Sequence, residues 1–312
     1  MTEAVATARP VELLIVGGES DPNTRRVADQ AAIRGVDFVM VDTDTAAADA
    51  IHWSFENSEL SLGRQRLVPE SLFLRHNVFS PSGGLQTQPP PGSGHAHHML
   101  REYAQAWAEV RILNRKVLGN MNSKSANLAM AKRFGFEVPA SQVITAGASP
   151  TLDFDPHTAI AKPLLGGAHT QHAADFLRAT EERTGTRVVL PPQFLQHRLD
   201  GHNIRVFVVG GETFAFHIDS DLLDYRQESG NVVHSMETPR HLEGPCVSMA
   251  DEIGFDYCAF DFRGVEAFEE LHFLEVNSFP MFVRFDMECE NRLVDKMLSV
   301  LLKREIFEPN QR

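Results

Sequence analysis

The run Gly254-Phe255-Asp256-Tyr257-Cys258-Ala259-Phe260-Asp261-Phe262-Arg263, followed by Leu271-His272-Phe273-Leu274-Glu275-Val276-Asn277-Ser278-Phe279-Pro280, reads as two β-strands. Aromatic and apolar residues dominate both halves. Between them, Gly264 with Glu266, Glu269 and Glu270 has the character of a solvated hairpin connection. Side chains alternate along a strand, so Glu275 and Asn277 share a face, and antiparallel pairing sets Asp261 beside Glu275. Two carboxylates and an amide then converge. Oxygen ligands of this kind suit Mg2+, which takes one or two protein carboxylates and completes its octahedron with water and phosphate oxygens. A merely solvated sheet face is the competing reading. The Phe-rich setting of Asp261 and Glu275 weighs against it, because a buried carboxylate without a cation is costly.

Outward from this stretch, composition sets limits. The 312 residues suffice for two or three compact modules, and 43% hydrophobic with 23% charged residues is an ordinary globular balance. Twenty-nine Lys and Arg against 42 Asp and Glu give a net charge of -13, which argues against nucleic acid or an anionic membrane as partner. The opening MTEAVATARP has neither a basic start nor an apolar core, so a cytoplasmic location is expected. Cys246, Cys258 and Cys289 form no C-x-x-C pair and read as buried, reduced thiols.

At the N-terminal end, Val11-Glu12-Leu13-Leu14-Ile15-Val16-Gly17-Gly18, a helix over about 24–34 and a strand over 36–42 make a β-α-β unit of a parallel sheet. Ser71 to Phe79 adds a further strand. The Pro, Gly, Ser and Gln-rich stretch from Ser80 to His98 is expected to be a mobile loop, with His95, His97 and His98 solvated in it. An amphipathic helix is expected over about 99–113, and a second from Ser123, an N-cap residue, to Gly135.

Further on, Thr158 to Lys162 is a strand ending in a lysine, followed by a glycine-containing loop, Leu165-Gly166-Gly167-Ala168-His169-Thr170, whose main-chain amides can cradle phosphate. Asn203 to Ser220 reads as a long hairpin turning at Gly210-Gly211-Glu212, and about 291–303 as a closing helix.

In this order and spacing, several motifs together resemble the ATP-grasp superfamily, most closely its RimK-like, glutathione-synthetase-type branch. They are the N-S-K helix start at 122–124, G-F-E-V-P at 135–139, A-K-P-L-L-G-G at 161–167, F-L-Q-H-R-L-D-G-H-N-I-R-V-F-V-V-G at 194–210, D-Y-R at 224–226, and D-F-R with F-L-E-V-N-S at 261–263 and 273–278. The likeness covers more than half the chain. It implies an α/β chain of the α+β ATP-grasp type: a parallel-sheet pre-ATP-grasp domain over 1–115, a small lid subdomain over 116–200 and a large catalytic subdomain over 201–312, the last two clamping ATP.

By position, the resemblance makes Lys124 and Lys162 the phosphate lysines and Gly166 to Thr170, with Gly166 and Gly167, a flexible lid over the phosphates. Gln196, His197, Arg198 and Leu199 become the hinge whose main chain reads adenine, with Asn203 near the ribose. It implies Mg2+ on Asp261, Glu275 and Asn277, and Arg205, Lys162 and Arg226 in the chemistry. His197 stands where relatives often carry an acid, His217 where many carry an arginine, and N-S-F-P-M-F at 277–282 is bulkier than the usual N-S-S-P-G.

The implied activity is ATP-dependent joining of a carboxylate to an amine, giving an amide or an ester through an acylphosphate with release of ADP and phosphate. The substrate is expected to be an amino acid or a peptide, and a homo-oligomer stays open as an alternative to a monomer. The same features also resemble graspetide (microviridin-type) ligases that close rings in peptides. An ATP-grasp kinase and a non-catalytic nucleotide-binding module stay open as alternatives. For a peptide, the Ser80 to His98 stretch and the Asp219 to His234 segment, with Asp219, Asp221, Asp224, Tyr225, Arg226 and Glu228, are the expected contact surfaces. Arg75, Arg226, Arg263 and Arg284 are all candidate carboxylate binders.

Overall fold

The computed structural model describes residues 7–45, 51–76, 93–118, 123–144, 155–164, 170–184, 193–220, 232–265 and 270–306. Within them the chain is an α/β structure built on four sheets. The first third contains β1 (Arg9–Val11), β2 (Leu13–Gly17), α1 (Pro22–Ile33), β3 (Phe38–Asp42), β4 (Ile51–Trp53), β5 (Leu60–Leu62), β6 (Gln65–Pro69), β7 (Ser71–Leu74), α2 (Ser93–Ala106) and β8 (Arg111–Ile112). The expected parallel sheet is present in the order β3-β2-β7-β8. Leu13 to Val16 are wholly buried because β2 is covered on both faces: Leu13 and Ile15 enter one core, Leu14 and Val16 another. Asp21 caps α1 by accepting from Asn23 N at 2.8 Å, with Pro22 in the first turn. Gly17 is needed for the close approach of that helix, since a Cβ there would run into Thr24 Oγ1 and Cγ2. A second small sheet, β1-β6-β5-β4, was not foreseen.

Two expectations are corrected here. Residues 93–98 are not loop: they form the first turns of α2, and residues 77–92 lie outside the described part. The helix expected over 99–113 instead ends at Ala106. Ala96, Leu100, Tyr103 and Ala104 are its buried stripe, at helical spacing, whereas Val110 and Ile112 are buried with the two-residue period of a strand and lead into β8.

The middle of the chain holds α3 (Lys124–Arg133), β9 (Ser141–Ile144), β10 (Ala159–Pro163), β11 (Gln171–His172), α4 (Ala173–Thr184) and β12 (Gln193–His197). Ser123 caps α3 as expected, its side chain accepting from Ala126 N, and Gly135 takes φ +83° just past the helix end. The antiparallel sheet β11-β10-β12-β9 packs a small core of Ile144, Ala159, Ala161, Ala173, Leu177 and Leu195.

The last part contains β13 (His202–Val209), β14 (Glu212–Asp219), β15 (Val232–Met236), α5 (Arg240–Ile253), β16 (Tyr257–Val265), β17 (Glu270–Asn277), α6 (Val283–Glu288) and α7 (Arg292–Leu302). Its antiparallel sheet has the order β15-β14-β13-β16-β17. One face, with Phe207, Phe216, Ile218, Tyr257 and Ala259, packs on α6, α7 and the N-terminal sheet. The other, with Val206, Val208, Cys258, Phe260, Phe262 and Phe273, packs on α5 and α3. All three cysteines are buried and unpaired, and burial pushes their thiols up. No helix among the described residues is long and apolar enough to cross a membrane.

Gly254 ends α5 at φ +94°, and a Cβ there would meet the Lys116 side chain. Gly254→Ala is therefore expected to lower stability by about 1–3 kcal/mol. The check is a lower urea midpoint at unchanged slope.

Candidate active site

The β16–β17 hairpin forms as expected. Asp261 pairs directly with Glu275, and Asn277 pairs with Ala259 two positions along the same face. The register shifts between Asp261 and Phe262, leaving Leu274 as an extra residue on β17. Across β16, Arg205 is the cross-strand partner of Asp261. Its guanidinium donates twice to that carboxylate, Nε to Oδ1 and Nη2 to Oδ2, both at 2.7 Å. Arg205 is also held over the Phe285 ring at 5.3 Å. Asn277 Nδ2 donates to Asp261 Oδ2 at 2.9 Å and lies 3.4 Å from Glu275 Oε1. Lys124 Nζ, in the first turn of α3, stands 3.5 Å from Glu275 Oε2.

These side chains floor a cavity of about 840 Å³ between the small and large sheets. Its opposite wall is built on β10 and β12, where Lys162 donates to Gln196 Oε1 at 3.1 Å. Gln196 is fully buried and passes the contact on, its Nε2 donating to Ser141 Oγ at 3.2 Å. The Gln196 side chain therefore steadies the lysine. At the end of β12, His197 N and Arg198 N donate to Ala140 O and Thr158 O, at 2.8 and 2.7 Å. Leu199 N makes no backbone bond among the described residues.

Lys124, Lys162, Gln196, His197, Arg198, Leu199, Asn203, Arg205, Asp261, Glu275 and Asn277 all line this one cavity. Gly166, Gly167 and Arg226 lie outside the described residues, as do Asp221, Asp224, Tyr225 and Glu228. Two buried donors on the cavity wall, Asn203 Nδ2 and Arg263 Nε, have no partner among the described residues. Orphaned donors of this kind call for an acceptor-rich ligand, and a nucleotide's ribose and phosphates supply one. The donor set also fits Mg2+: two carboxylates and an amide, oxygen throughout once the Asn277 amide is turned. Among the described residues, no group of three His, Cys, Asp or Glu side chains that could hold a metal is gathered anywhere.

Sequence reasoning did not find what frames the far end of the site. Asn114, fully buried at φ +59°, donates through Nδ2 to Tyr257 O and Ser278 O and accepts from Tyr257 N. Tyr257 OH and Arg75 Nη1 both donate to Pro280 O, at 2.9 and 3.3 Å. A positive φ at an asparagine has no strong signature in sequence. Beyond Phe279 and Met281, each 44% exposed, lies a second cavity of about 740 Å³ that shares Ser123, Ser278, Phe279 and Met281 with the first. Of the candidate carboxylate binders, Arg263 and Arg284 line the first cavity and Arg75 the second. His217 lines neither; its Nε2 is 3.1 Å from His202 Nδ1, on strands β14 and β13.

No protein-family model matches the chain, and no curated protein sequence does. Solved structures match over nearly the whole length. The ATP-grasp ligase PsnB with a minimal precursor variant, Mg and ADP is 20% identical, with 93% of this chain and 98% of that one covered (TM-score 0.70). A RiPP-associated ATP-grasp ligase from Chryseobacterium gregarium, with ADP and a leader and core peptide, is 18% identical over 96% and 99% (TM-score 0.70). The macrocyclase MdnC from Microcystis aeruginosa, bound with precursor peptide MdnA, is 17% identical over 93% and 99% (TM-score 0.67). The chain thus has the ATP-grasp fold. Within that fold its likeness extends to ligases whose structures hold a precursor peptide or a leader and core peptide.

Proposed function

We propose that this protein is an ATP-dependent ligase. On this reading it activates a substrate carboxylate as its acylphosphate and joins it to an amine or hydroxyl, with release of ADP and phosphate. The observation that carries the reading is the convergence of Asp261, Glu275, Asn277, Lys124 and Lys162 on one cavity between two sheets. It keeps the division into 1–115, 116–200 and 201–312, with the first part framing the substrate side. Mg2+, held by Asp261 and Glu275 with Asn277, would neutralise charge on the phosphate oxygens.

The chain's own residues do the rest. Lys124 and Lys162 supply fixed positive charge from opposite walls, and Gln196 and Ser141 hold Lys162 so that little reorganisation is needed at reaction. Arg205 orients Asp261 and adds a cation at the point where the phosphoryl group would be transferred. Leu199 N and Asn203 would take the base and ribose. Reaction within this cavity would be partly shielded from water, which would otherwise hydrolyse an acylphosphate.

A peptide substrate is favoured over a free amino acid by the second cavity, which extends the site beyond Phe279 and Met281. PsnB, MdnC and the Chryseobacterium ligase, solved with peptides, support the same choice. The deciding experiment supplies MgATP, hydroxylamine and a panel of acidic peptides and free amino acids, and follows ADP release and hydroxamate together. A ligase gives hydroxamate in step with ADP. A stable phosphoester without hydroxamate identifies a kinase, and nucleotide binding without substrate-dependent ADP identifies a binding module.

A further inference from the structure

The second cavity has a chemistry of its own. Its wall is mostly apolar, from Leu74, Val117, Leu118, Met130, Ile253 and Phe255, while one end gathers Arg75, His76, His97 and Arg101. Arg75 is buried, with Nε on Asp21 Oδ2 at 2.6 Å, so its charge is balanced within the fold. Arg101 is different. Its Nη2 reaches His98 Nδ1 at 2.8 Å and Glu102 at 3.3 Å, but its Nε is buried and has no partner among the described residues. The His76 and His97 rings meet edge-on, centroids 5.4 Å apart, and make no hydrogen bond among the described residues. The one acid on the wall, Glu252, is turned to Arg133 at 3.6 Å. Among the described residues, Arg101 Nε and the His76 and His97 rings thus stand without an acceptor at one end of a mostly apolar chamber. The lysines and the Asp261–Glu275 pair stand in the first cavity, so a group held here is recognised without being activated.

We infer that the second cavity is a recognition subsite for a non-reacting carboxylate on an apolar stem, with Arg101, His97 and His76 as its donors. It deepens the ligase reading by adding an acidic side chain, flanked by apolar residues, to what the substrate must carry. Burial pushes the His97 imidazole down to about 4, helped by His76, Arg101 and His98, so it is neutral in the unliganded cavity. A carboxylate beside it reverses that trend. Binding then takes up a proton and tightens as pH falls from about 8 to about 6.

The test titrates a dansylated tripeptide amide of phenylalanine, glutamate and leucine, and its glutamine counterpart, into the full-length protein with and without MgADP. Phenylbutyrate and phenylbutyramide, run in parallel, tell a peptide-borne carboxylate from a free acid. The glutamate peptide is expected to bind about tenfold tighter than the glutamine peptide, the size of one charge-assisted hydrogen bond. Arg101→Gln should remove the preference. Ala126→Trp, which fills the cavity from an exposed position on α3, should remove it without touching a charge. MgADP affinity should stay within about twofold in both, because the first cavity is untouched. Equal binding of the two peptides overturns the inference, as does a preference lost in Lys162→Gln but kept in Arg101→Gln and Ala126→Trp. A flat pH profile for the acid removes His97 from the subsite. If the wild-type chain binds no MgADP the ligase reading fails, while the titrations without nucleotide still decide the subsite.

Discussion

Glu275→Gln is expected to cut substrate-dependent ADP release by about a hundred- to a thousandfold, because the Mg2+ that would stabilise charge on the reacting oxygens would lose one of its two carboxylates. The substitution keeps the shape and the contact to Asn277, and it takes away one negative charge from a side chain that is 19% exposed and stands 3.5 Å from Lys124 Nζ. A pair of that length and exposure contributes little to folding, about 1 kcal/mol or less. Catalysis should fall and the unfolding midpoint should not. A second readout ties the loss to the metal: affinity for MgADP drops, and affinity for ADP in EDTA does not. Unchanged turnover in Glu275→Gln would remove Glu275 from the site.

Arg205→Leu and Asp261→Leu, made singly, should each destabilise the protein by about 3–5 kcal/mol, because each leaves the other charge buried without its partner. Both side chains are nearly sealed from water, 9% and 12% exposed, and the pair is bidentate. The double variant should recover most of that loss, since two apolar residues replace the pair without orphaning a charge. Urea titration of all four proteins reads the coupling directly. Additive losses would mean that the fork contributes nothing beyond its separate charges. For the same reason Asp261→Asn is a poor probe of metal binding: it disturbs the support of Arg205 as well as the ligand.

Much of this site was legible because its chemistry is written in short-range patterns. Asp261, Glu275 and Asn277 sit in strands whose alternation fixes their faces, and the register needed to bring them together is that of a simple hairpin. Lys162 and Gln196 were marked by the resemblance, and the antiparallel pairing of β10 with β12 brings them together. Helix α5 escaped notice although Leu242, Cys246, Met249 and Ala250 keep helical spacing, because Gly244 and Pro245 interrupt it. Helix α2 was displaced because the histidine-rich 93–98 stretch lacks apolar weight apart from Ala96, which is wholly buried. The second cavity could not be read at all. Its walls come from β7, α2, α3, α5 and the segment after β17, and no local pattern reports which distant segments will face one another.

The carbonyl of Pro280 accepts from Arg75 on the N-terminal part of the chain and from Tyr257 on the large sheet, while Asn114 grips Ser278 two residues before it. This knot fixes what can be exchanged between homologous proteins by recombination. A graft that replaces residues 1–115 with a relative's equivalent takes away Asp21, Arg75 and Asn114 together, and the segment following Asn277 loses its anchors however well the new sheet packs. Hybrids that carry those three residues across, or that move the 278–282 segment along with the first third, should keep the geometry of the hairpin that carries Asp261, Glu275 and Asn277. The natural unit of exchange in this protein is therefore discontinuous in the chain, joining residues more than two hundred positions apart.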